Sequence, residues 1–65
     1  MYVKCVCHNV LHLFENEVND AILKIRSSYR IEDRHPVILD VKYAINNDYM
    51  YAFIEWDYEE EVPYD

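Results

Sequence analysis

Two thiols and two imidazoles fall within eight residues, Cys5, Cys7, His8 and His12 in the stretch CVCHNVLH. These are the residue types of a zinc centre. A tetrahedral zinc ion takes thiolates at about 2.3 Å and imidazole nitrogens near 2.0 Å, which brings two bound sulfurs within roughly 4 Å of each other. On a strand, Cys5 and Cys7 point to the same face but lie about 6.6 Å apart along the chain, too far without a bend. Cysteine also packs as a small hydrophobe, so both thiols are expected in the core beside Val3. His8 and His12 meet only if a helix begins early enough to hold both. His35 could add a ligand that nothing demands. The expectation is therefore no metal and no cofactor, with a metal-binding regulator as a competing class.

Catalysis has weaker footing. A nucleophilic cysteine needs a base within hydrogen-bond reach and a site for the oxyanion. Cys7 and His8 are neighbours whose side chains face opposite sides of a strand, and no serine has a credible partner. The chain carries no glycine, so it holds neither a phosphate-cradling loop nor a dinucleotide fingerprint. The expectation is a protein that is not an enzyme.

The elements that would position these residues follow from periodicity. Tyr2–Cys7 alternates as a strand, with Val3, Cys5 and Cys7 expected towards the core and Tyr2, Lys4 and Val6 on the other face. Asn9 offers an N-cap oxygen to a helix starting near Val10. Leu11, Phe14, Val18, Ile22, Ile25 and Tyr29 recur at steps of three and four, one apolar stripe along that helix. Arg26 and Arg30 suit its negative C-terminal end. Ser27–Pro36 is polar, and the proline stops helical structure before it.

VILDVKYAI then alternates, with Val37, Leu39, Val41, Tyr43 and Ile45 on one face and Ile38, Asp40, Lys42 and Ala44 on the other. Asn46-Asn47-Asp48 supplies turn chemistry. Tyr49–Trp56 returns, with Met50, Ala52, Ile54 and Trp56 opposite Tyr49, Tyr51, Phe53 and Glu55. The order β-α-β-β predicts an α+β domain over residues 1–57. Its sheet is expected to be antiparallel, three-stranded and ordered 1-3-2, with the helix on one face. Order 1-2-3 is the alternative. Residues 58–65 read as an acidic, disordered tail.

FENEVNDAIL (Phe14–Leu23), ILDVKYAI (Ile38–Ile45) and YAFIEW (Tyr51–Trp56) resemble a family of short bacilli proteins associated with sporulation and also found in phages. Its members run from a basic-hydrophobic strand into a helix of type L-E-x-x-V-N-x-F-L, then D-I-K-Y-S and Y-S-A-x-I. The likeness covers about two-thirds of the chain. It implies a fold and a bacterial or phage setting, and no reaction. CVCHN, the longer Ser27–Pro36 loop and the acidic end depart from the pattern.

Sixty-five residues with 52% hydrophobic side chains and seven tyrosines make one small domain, short of apolar burial by itself. A partner or a second copy that covers apolar surface is therefore expected. The open sheet face, with Tyr2, Lys4, Val6, Ile38, Lys42, Ala44, Tyr49, Tyr51 and Phe53, is the expected protein-binding site and dimer contact. Six basic against thirteen acidic side chains give a net charge of −7, which opposes direct nucleic-acid binding. A single-strand binder stacking bases on Tyr51 and Phe53 remains the second competing class.

Asp57, Glu59, Glu60, Glu61 and Asp65 make the end of the chain an acidic-aromatic segment suited to a basic groove. Two close cysteines form no secreted disulfide framework. No apolar run reaches the roughly 20 residues of a membrane span, and the start lacks a signal-peptide core. The expectation is thus a cytoplasmic, acidic protein-binding module that inhibits a host nucleic-acid-binding protein through its charge.

Overall fold

The computed structural model describes residues 1–28 and 34–60. Strand β1 (Tyr2–His8) leads to helix α1 (Leu11–Ser28), followed by the hairpin strands β2 (Arg34–Asn46) and β3 (Tyr49–Glu60). The sheet order is β1-β3-β2, and both pairings are antiparallel. This is the expected small α+β domain. The hairpin turn places Asn47 and Asp48 at φ of 50° and 68°. Two left-handed residues give a turn whose twist matches the strands, and Asn and Asp tolerate that region best after glycine.

The core lies between α1 and one face of the sheet. It joins Phe14, Val18, Ala21 and Ile25 of the helix to Val6, Ala52, Ile54 and Trp56. The helical stripe is thus centred on Phe14, Val18, Ala21 and Ile25, with Ile22 at its flank. Leu11, expected in the stripe, is 59% exposed at the first residue of the helix, and burial begins one turn on at Phe14. Tyr29, Arg30 and the remainder of the connection to residue 33 lie outside the described residues.

The faces of β1 are the reverse of the expectation. Tyr2, Lys4 and Val6 pair with Trp56, Ile54 and Ala52, the inward residues of the central strand. Directly paired residues share a face, so Val6 is buried and Val3, Cys5 and Cys7 are turned outward and exposed. An edge strand tolerates this phase because its inward face needs covering only in part. Tyr2 stacks on Trp56 with ring centroids 4.6 Å apart. Lys4 lines a groove with Glu17, Asp20, Ala21, Lys24 and Ile25, a place on the helix side that a long stem with a charged tip can take.

In β2 the alternation expected from residue 37 to 45 is broken by a bulge. Ile38 pairs with Trp56 and Asp40 with Glu55, leaving Leu39 as the extra residue. Two residues against one shift the phase by one. Ile38 therefore joins Val41 against the core, and Val37 turns to the open face. The hairpin also runs further than expected. Arg34, His35 and Pro36 pair with Glu60, Glu59 and Tyr58, so Tyr58, Glu59 and Glu60 belong to the sheet and not to a tail. Residues 61–65, including Glu61 and Asp65, lie outside the described residues.

Candidate protein-binding face

His8 sets the corner from which the helix departs. Its Nδ1 accepts the backbone N–H groups of Asn9 and Val10, each at 3.0 Å. The first helical bond then runs from the Phe14 N–H to the Val10 carbonyl at 2.8 Å. Val10 thus takes the cap position expected of Asn9, while the imidazole fixes the turn just before the helix by accepting the N–H groups of Asn9 and Val10 rather than those of the first helical turn. His8 Nε2 lies 3.9 Å from Glu17. This geometry holds the imidazole on the helix side, while Cys7 faces the other way. The four residues of the opening stretch are therefore split between two sides of the sheet. Among the described residues no group of three or more His, Cys, Asp or Glu is placed to hold a metal.

The sheet face opposite α1 has no covering layer among the described elements. Across it run the cross-strand rows Val3–Glu55–Asp40, Cys5–Phe53–Lys42 and Cys7–Tyr51–Ala44, closed by the Tyr49–Asn46 pair. Val3 is 57% exposed, Tyr49 46% and Phe53 37%, although Phe53 stands on the central strand. Both cysteines are free and exposed. Desolvation, with the charge and hydrogen bond of Cys7 next, raises the Tyr51 hydroxyl above its ordinary pKa. The result is an apolar, aromatic and thiol-bearing surface across three strands.

One end of this face is acidic. Asp40, Glu55, Asp57 and Glu59 occupy successive open-face positions towards the free end of the hairpin. Lys42 sits between the two regions and pairs with Glu55 at 3.1 Å. The Met1 ammonium meets Asp57 at 3.3 Å. Asp57 also accepts the Tyr58 N–H at 2.8 Å. That backbone bond first, and the N-terminal ammonium next, hold its carboxyl below the usual pKa.

Of the expected binding residues, the fold brings Lys42, Tyr49, Tyr51 and Phe53 together on this face, with Ala44. Tyr2, Lys4 and Ile38, together with Val6, are on the helix side and are corrected. Val3, Cys5 and Cys7 take their place. Their presence here is fixed by pairing register, and the strand's own alternation allowed either phase. No family model, curated protein or solved structure matches the chain.

Proposed function

We propose that this chain is a non-enzymatic protein-binding module that docks a partner on its open sheet face. The observation that carries the proposal is Phe53, exposed on the central strand among Val3, Cys5, Cys7, Tyr49 and Tyr51. An uncovered apolar face on a domain this small favours association. The adjoining acids give the partner's chemistry: an apolar patch flanked by lysine or arginine side chains. Nucleic-acid-binding proteins carry such surfaces. By occupying one, this chain, of bacterial or phage origin, acts as an inhibitor in the bacterial cytoplasm, where its two thiols stay reduced. A nucleic-acid strand suits the same face poorly, because its phosphates would meet Asp40, Glu55, Asp57 and Glu59.

The test is affinity capture from a bacterial lysate with wild type and Phe53→Glu side by side, followed by competition with the captured protein's own nucleic acid. The expected partner is basic, is lost with Phe53→Glu and releases its nucleic acid as this chain is added. Equal capture by the two proteins would remove the open face from the account. Direct retention of nucleic acid by wild type, with no protein, would favour the base-stacking alternative.

A further inference from the structure

Strand β2 is an outer strand of the sheet, so one of its two hydrogen-bonding edges meets no other described strand. Its regular stretch is Asp40–Asn46, bounded by the bulge after Ile38 and by the Asn47-Asp48 turn. The midpoint of that stretch is Tyr43. Helix α1 packs more on β1 than on β2, and Tyr43 and Ile45 are left 66% and 79% exposed on the helix side. The Tyr43 ring meets Phe14 there, edge-on with ring centroids 6.3 Å apart.

We propose that a second copy of this chain pairs along this edge, β2 against β2, antiparallel and centred on Tyr43. The charge pattern selects the occupant. The chain carries −7 overall, yet from Val41 to Asn46 its one charged residue is Lys42, already paired with Glu55. Two copies that repel elsewhere can approach here.

The register follows from the same residues. A two-fold axis through Tyr43, normal to the sheet, sets Tyr43 against Tyr43 and Val41 against the second copy's Ile45. Lys42 then faces the second copy's Ala44. These are aromatic and β-branched pairs of the type that stabilise antiparallel ladders. Centring on Lys42 instead places two ammonium groups opposite each other, which is unfavourable. Centring on Ala44 places Asp40 against Asp48 and runs into the turn. Below Val41 the edge is interrupted by the bulge and charged by Asp40. The Asp40 carboxylate accepts the Val41 N–H at 2.8 Å in the single chain and must release it to the second copy's Ile45 carbonyl when the ladder forms. Such devices blunt an edge against further strands, so the pairing is limited to one symmetric partner.

The product is a six-stranded sheet with both helices on one side and two open faces side by side on the other. It goes beyond the docking function proposed above and stands without it. It also makes that face bivalent towards a repeated partner.

Sedimentation of the full chain at high micromolar concentration tests the pairing. The expected species is a dimer, with a dissociation constant raised at least tenfold by Tyr43→Asp or Ile45→Lys and unchanged by Phe53→Glu, each with an unaltered circular dichroism spectrum. Cysteine cross-linking in a Cys5→Ser, Cys7→Ser background reads the register. Tyr43→Cys links to itself on mild oxidation, and Lys42→Cys links to Ala44→Cys but not to itself. A monomeric wild type overturns the proposal. So does a dimer that resists Tyr43→Asp and dissolves with Phe53→Glu, or one that cross-links at Lys42→Cys in preference to Tyr43→Cys.

Discussion

Cys7 lies directly across the β1–β3 ladder from Tyr51, and its thiol helps to raise the pKa of the phenol. Desolvation is the larger cause, so removing the thiol restores only part of the shift. In Cys7→Ala, NMR titration of the Tyr51 ring should give a midpoint lower than in wild type but still above the ordinary tyrosine value. An unchanged midpoint would separate the two side chains.

The reversed faces of β1 give a sharp stability contrast. Val6 is buried at 8% exposure, whereas Val3 on the same strand is 57% exposed. Val6→Ala should cost about 2 kcal/mol from lost burial and a residual cavity. Val3→Ala should stay within about 0.5 kcal/mol of wild type. Urea unfolding of the two variants measures both, and the opposite ranking would restore the phase in which Cys5 and Cys7 are core.

The corner held by His8 has a cost of its own when removed. His8→Ala leaves the exposed N–H groups of Asn9 and Val10 to solvent and should destabilise the domain by about 0.5 kcal/mol, the low end for a net intramolecular hydrogen bond. His8→Asn supplies another acceptor at the corner and should recover part of that loss. Thermal melts of both variants decide whether the imidazole holds the corner.

Acid stability should depend on Asp57. Its folded pKa is depressed below the ordinary aspartate value. Its contribution is therefore present above that unfolded value and lost as pH falls through the folded one. Asp57→Asn should be less stable than wild type at neutral pH, with the difference shrinking on acidification below the ordinary carboxylate range. A difference that stays constant with pH would remove the ionised carboxylate from the account.

Strand order, helix position and hairpin turn were legible in the sequence because each rests on a local signal: a 3.6-residue stripe, a β-α-β-β order and Asn47-Asp48 chemistry. The phase of β1 was not. Val3, Cys5 and Cys7 look more apolar than Tyr2, Lys4 and Val6, but an edge strand takes its phase from its partner, and Ala52, Ile54 and Trp56 fix it. The bulge at Leu39 was hidden for a related reason. Val37-Ile38-Leu39 is continuously apolar, so either alternation fits until the register with Glu55 and Trp56 is known. The candidate face was accordingly half legible: Lys42, Tyr49, Tyr51 and Phe53 follow from the central hairpin, whereas the thiols enter only through pairing.

Salt should weaken partner binding chiefly through the association rate. Asp40, Glu55, Asp57 and Glu59 border the docking face, and the Debye length falls from about 30 Å at 0.01 M to about 10 Å at 0.1 M. Stopped-flow association with the captured partner should slow over that range, while dissociation changes less. A salt-independent rate would leave the apolar part of the face as the whole of the contact.

The central claim, that a protein docks on the open face, is tested most directly by thiol protection. Cys5 and Cys7 flank Phe53 and Tyr51 and are exposed in the free chain, so both should be alkylated in the native protein without denaturant. Saturation with the captured partner should slow alkylation of both thiols at least tenfold, and the protection should vanish with Phe53→Glu. Alkylation at the same rate in the free and bound protein would contradict the account, because a partner seated on this face must cover the two thiols.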